Sequence, residues 1–118
     1  MKRDLDLIKT LLLLLEETDS IGEVPEYSSE QVVYHVALLE DARLITQEPY
    51  HNFELSAASL TRTRMTWAGH EFLDASRSKS IWEKAKKITL EKTGALTFEV
   101  LKSVLIQLGK EAASGIAS

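Results

Sequence analysis

The chain has no cysteine among its 118 residues, which excludes a disulfide framework, thiolate metal sites and thiol nucleophiles. Long apolar runs are missing as well. The longest aliphatic stretch, residues 11–15, runs straight into Glu16 and Glu17, far short of the roughly 18–20 apolar residues that a membrane span needs. It also lacks the longer apolar core and small-residue cleavage site of a secretory signal. A cytoplasmic protein that does not enter a membrane is therefore expected, with one core that needs neither metal nor cofactor.

Basic residues are scarce where they come first. Residues 1–60 hold 4 Lys/Arg against 12 Asp/Glu, and residues 61–118 hold 10 against 6. An acidic first half repels phosphate, so any contact with nucleic acid is expected from Arg62 onward.

Helical spacing is clear over residues 3–18. Leu5, Ile8, Leu11, Leu12 and Leu15 form one stripe, which Leu7, Leu13 and Leu14 widen nearly all round, and Asp4 and Asp6 suit the positive end of the helix dipole. This reads as the central core helix. Residues 19–27 contain Gly22 and Pro25 and leave too little room for another helix. Ser28 or Ser29 is placed to cap a helix ending near Ala42, Ser28 with Gln31 three residues on at the spacing of a capping box. Residues 44–50 and 60–65 read as two paired strands, the first ended by Pro49, and period-two alternation puts Arg62 and Arg64 on one face. Thr66 is placed to cap a short helix containing Phe72 and Leu73. Ser80 is placed to cap the next, with an Ile81, Ala85, Ile88 stripe and Gly94 to close it. Thr97 is placed to cap the last, with Leu96 and Leu101 as a hydrophobic staple.

The segments LLEDARLI and MTWAG, separated by a two-strand pattern, resemble the end of the recognition helix and the exit from the wing in winged helix-turn-helix regulators. More closely, KRDLDLIKTLL, YHVALLEDARLI and TWAGHEFLDASRSKSIWEKAKK resemble, in that order, an uncharacterised family of small bacterial and prophage proteins. The resemblance implies an α+β, mainly α fold: a winged-helix-like core over residues 1–78 with a β-hairpin wing, and a two-helix extension over 79–118 that packs on the core or forms a homodimer interface. It also implies a mobile-element setting. Arg43 stands where such regulators usually carry glycine, so an altered exit from the second helix is expected.

Two non-enzymatic functions follow. In the first, the protein binds double-stranded DNA as a transcriptional regulator, with Gln31 reading adenine, Tyr34 touching phosphate and Arg62 and Arg64 gripping the backbone. In the second, it is an interaction module whose acidic face, Glu30, Glu40 and Asp41, docks a host protein. His70, Glu71 and Asp74 imitate a zinc-protease helix with no third ligand, so His70 and His35 are expected to be structural. Trp67 is expected to anchor packing, while Trp82 and the lysines Lys84, Lys86, Lys87 and Lys92 are expected on a solvated surface, with contact to a partner as the alternative.

Overall fold

The computed structural model describes residues 1–18, 20–49, 61–95 and 97–112, and leaves the side chains of Glu48, Pro49, Thr61 and Arg62 outside the description. Among the described residues, five helices and one two-stranded antiparallel sheet follow in the order α1 (Leu5–Thr18), α2 (Ser29–Asp41), β1 (Ile45–Pro49), β2 (Thr61–Met65), α3 (Trp67–Ser76), α4 (Lys79–Thr93) and α5 (Phe98–Glu111). The fold is thus α+β and mainly α. The chain forms two compact units, Met1–His70 and Glu71–Ser118, and the boundary between them falls inside α3. No helix among the described residues is long and apolar enough to cross a membrane.

In the first unit α1 starts two residues later than its pattern suggested. The reason is Asp4, whose Oδ1 accepts from the backbone N–H groups of Asp6 and Leu7 at 2.9 and 3.2 Å, making it the cap rather than a first-turn residue. Leu5, Ile8, Leu12 and Leu15 are buried along one stripe and Leu7 and Leu11 along another, so the helix is covered on two sides, by α2 and by β2. Each such leucine, removed from water, contributes about 1.5–3 kcal/mol.

No helix forms in residues 20–28. A turn closes there instead, from the Val24 carbonyl to the Tyr27 N–H at 3.2 Å, with Pro25 at its second position and Glu26 at its third. Glu26 adopts φ 75°, which a type II turn requires and which glycine ordinarily supplies. The capping box then forms as expected: Ser28 Oγ accepts from Gln31 N, and Gln31 Oε1 accepts from Ser28 N.

The exit from α2 keeps the geometry that a glycine would give, contrary to expectation. Arg43 itself takes the left-handed conformation at φ 61°. The Arg43 N–H donates to the Glu40 carbonyl and the Leu44 N–H to the Leu39 carbonyl, both at 2.9 Å, and buried Leu39 and Leu44 make up the apolar pair that usually accompanies this closure. The chain passes directly into β1, where Ile45 opposes Met65, Thr46 opposes Arg64 and Glu48 opposes Arg62. Ile45 and Met65 are buried. The positions Tyr50 and Leu60, expected at the far ends of the strands, lie outside the described residues, as does Leu96 of the expected staple.

In the second unit α4 packs against α5. Its cap is Ser78, whose Oγ accepts from Ile81 N at 3.3 Å, two residues before the expected Ser80. The buried stripe is correspondingly Trp82, Ala85 and Thr89, with Ile81 and Ile88 only half-buried at its edges. Trp82 decides this. Its indole meets Phe72 edge-on at 6.2 Å, and Phe72 in turn lies 5.2 Å from Phe98, so the helix turns its largest side chain inward. Gly94 closes α4 at φ 74°, its N–H on the Leu90 carbonyl. Thr97 occupies the cap position of α5 without bonding through its hydroxyl.

A candidate interaction face on the second helix

The pose of α2 is set by polar ties at its middle and at its C-terminal end. At the middle of the helix His35, 1% exposed, accepts through Nε2 from the Asp4 backbone N–H and donates through Nδ1 to the Gln31 carbonyl, both at 2.8 Å. These partners assign the ring proton to Nδ1 and use both nitrogens, which gives His35 the structural role expected of it. Tyr27 completes the cluster, its hydroxyl donating to Asp4 Oδ2 at 3.1 Å. Burial and that hydrogen bond push the Tyr27 phenol above its ordinary value.

At the C-terminal end the tie is to the start of α3. Thr66 Oγ1 donates to the Arg43 carbonyl at 2.6 Å and accepts from Gly69 N at 3.0 Å, while the Thr66 N–H donates to the Leu44 carbonyl at 2.9 Å. The approach is so close that a Cβ on Gly69 would overlap the Leu44 carbonyl oxygen and stand 2.6 Å from Met65 Cγ. The glycine of MTWAG is therefore required by contact between backbones rather than by a turn.

With these ties made and the inner face committed, one surface of α2 remains outside. It carries Glu30, Val33, Tyr34, Ala37, Glu40 and Asp41, all exposed, at the three- and four-residue spacing of a single helix face. Val33 is 69% exposed and Tyr34 38%. The face thus has an apolar and aromatic centre with one acid before it and two after, and α2 contains no Lys or Arg. Among the residues considered for DNA contact, Gln31 is half-buried with its Oε1 held in the capping box, and Tyr34 shares its surface with the acids. Arg64 is exposed on β2; Arg62 stands two positions earlier in the same strand, its side chain outside the description.

Two aromatic expectations reverse. Trp67, read as a packing anchor, is 80% exposed, whereas Trp82, read as lying on a solvated surface or against a partner, is 3% exposed. Trp67 falls at the first position of α3, whose backbone is held by Thr66 and Gly69, so the indole is not needed to fix it. Lys86 covers the Trp82 ring at 5.6 Å while pairing with Glu83 at 3.4 Å. Among the described residues no three His, Asp or Glu side chains gather as a metal site would need.

The family model described as "Hypothetical protein (DUF2513)" matches residues 2–95. An uncharacterized protein of Haemophilus influenzae is 36% identical over 110 residues, which span 88% of this chain and 92% of that protein. No solved structure matches.

Proposed function

Given that the chain belongs to the DUF2513 family of hypothetical proteins, we propose that it acts without enzymatic chemistry, as an interaction module whose acidic α2 face docks a basic surface on another protein of its host. The observation that carries this reading is the outer face of α2, where Val33 and Tyr34 lie between Glu30 and the pair Glu40 and Asp41 with no basic residue on the helix. Protein interfaces place apolar and aromatic groups at the centre and charge at the rim. A duplex would meet the same acids as repulsion.

The test is retention of a host protein on the immobilised chain at low salt, followed by identification of what is retained. The expected result is one protein bearing a basic surface, held by the wild type and lost with Glu40→Lys/Asp41→Lys, both variants unfolding at the same midpoint. Retention that is indifferent to the double charge reversal overturns the reading, as does retention of nothing above background.

A second reading, DNA binding by a winged-helix-like regulator, is favoured by one observation: Arg62 and Arg64 occupy alternate positions of β2, opposite Glu48 and Thr46. It predicts salt-sensitive retardation of a duplex that weakens with Arg64→Ala. A duplex that is not retarded at low salt removes it.

A further inference from the structure

A cleft of about 500 Å³ opens beside the N-terminal half of α2, within the roughly 300–1,000 Å³ typical of pockets that bury a ligand group. Ile21, Val24 and Val33 supply apolar wall, and Gly22 and Glu23 lie beside them. The walls are preformed: Val24 is buried, the turn that carries it is closed by its own hydrogen bond to Tyr27, and Tyr27, also on the wall, is held to Asp4. Val33 belongs both to this cleft and to the exposed face of α2, so the two form one continuous surface.

The segment that lines the cleft and carries the face bears charge of a single sign. Residues 20–42 contain five acids, Glu23, Glu26, Glu30, Glu40 and Asp41, and no Lys or Arg. Glu26 is kept in a left-handed turn position where glycine is the relaxed choice. From Glu30 to Glu40 is ten residues of helix, a span of about 15 Å or nearly three turns.

We propose that this cleft receives the apolar side chains of a cationic amphipathic helix, a segment of the basic partner inferred above, so the inference rests on that reading. Two apolar residues one turn apart enter between Val24 and Val33, and Lys or Arg residues on their flanks run from Glu23 and Glu30 toward Glu40 and Asp41. The described residues that line the cleft belong to a helix and a turn, and none of them is a strand edge at which an extended peptide could add hydrogen bonds. That leaves the helix-in-groove mode, with anchors at the i, i+4 spacing.

The probe is a fluorescein-labelled helical peptide about four turns long, with leucine on one face and lysine on the other, read by fluorescence anisotropy against the full chain. Gly22→Phe is the informative variant. Gly22 lines the cleft, a Cβ there meets nothing within 4 Å and the residue carries no positive φ, so a ring added at this wall is accommodated without disturbing the fold, as an unchanged unfolding midpoint will verify. Val33→Asp is the second. The expected result is saturable binding to the wild type, weakened at least tenfold, about 1.4 kcal/mol, by each variant. A peptide with alanine replacing leucine should bind correspondingly weakly, and one with glutamate replacing lysine should not bind. Absence of peptide binding, equal binding to Gly22→Phe, or equal binding of the glutamate peptide overturns the proposal. If Glu40→Lys/Asp41→Lys weakens the peptide and Gly22→Phe does not, the cleft is excluded while the acidic face stands. If Gly22→Phe weakens the peptide and the charge reversal leaves host-protein retention intact, the acidic-face reading fails and the cleft stands.

Discussion

In residues 1–70 the helix ends are tied to distant backbone by polar groups, Asp4 to His35 and Arg43 to Thr66, whereas residues 71–118 are held by rings, Phe72 against Trp82 and Phe98, and by local caps at Ser78 and Gly94. The two left-handed helix exits repeat the contrast, since α4 uses Gly94 at φ 74° and α2 uses Arg43 at φ 61°. The difference teaches where surface is available. Ties through the helix ends position α2 without calling on Val33, Tyr34, Glu40 or Asp41, so the fold leaves its outer face to other uses. Ring packing in the second unit instead draws the largest side chain of α4 inward.

The contrast is broken most severely at Gly69. Gly69→Ala puts a methyl group into the Leu44 carbonyl, and we expect a loss of about 4 kcal/mol or more, in the range of exceptional single-site effects. Chemical denaturation monitored by circular dichroism will measure it; a loss below about 1 kcal/mol would show that the Arg43–Thr66 tie yields to accommodate the methyl group. Next comes the pair of tryptophans. Trp82→Ala should cost about 3–5 kcal/mol, and Trp67→Ala no more than about 0.5 kcal/mol, so their unfolding midpoints should separate widely; equal midpoints would erase the distinction drawn between them. Smaller and opposite in sign, Arg43→Gly should stabilise by about 0.5–1 kcal/mol by relieving the left-handed backbone, while Gly94→Ala should destabilise by about the same amount. Equal signs in differential scanning calorimetry would deny that the two exits share one geometry.

The smallest effect is at Tyr27, whose phenol is raised from its ordinary value. The neutral form is favoured in the folded state, so its stabilisation is fully present below the unfolded tyrosine value of about 10 and is lost as pH rises through the raised folded value. The stability difference between wild type and Tyr27→Phe should therefore shrink as the solution is made alkaline above about pH 10. A difference that stays constant across that range would detach the hydroxyl from Asp4.

Local chemistry was legible wherever a residue acts on its own neighbours. Ser28 with Gln31, Thr66 with Gly69, and Gly94 could be placed by spacing because a cap bonds three or four residues away. The missing helix in residues 20–28 followed from chain length. Spacing could not say which tryptophan lies inside, since Trp67 and Trp82 both open helices and only the arrival of Phe72 and Phe98 from elsewhere in the chain separates them. Arg43 was misread for a related reason: residue type argued against a left-handed exit, and the Leu39–Leu44 burial that enforces it is set by tertiary packing. The acidic face was readable as composition. Its apolar centre was not, because Val33 looks like a core residue until the opposite side of α2 is seen to be full.

The clasp at Thr66 has a use that concerns neither packing nor binding. It joins the chain on either side of the β1–β2 hairpin, Arg43 and Leu44 on one side and Thr66 and Gly69 on the other, so the hairpin leaves and re-enters the fold through a fixed doorway. Both strands start from that doorway, so their pairing can zip outward from Ile45 and Met65 without a search for register, and the clasp serves as a guide to folding.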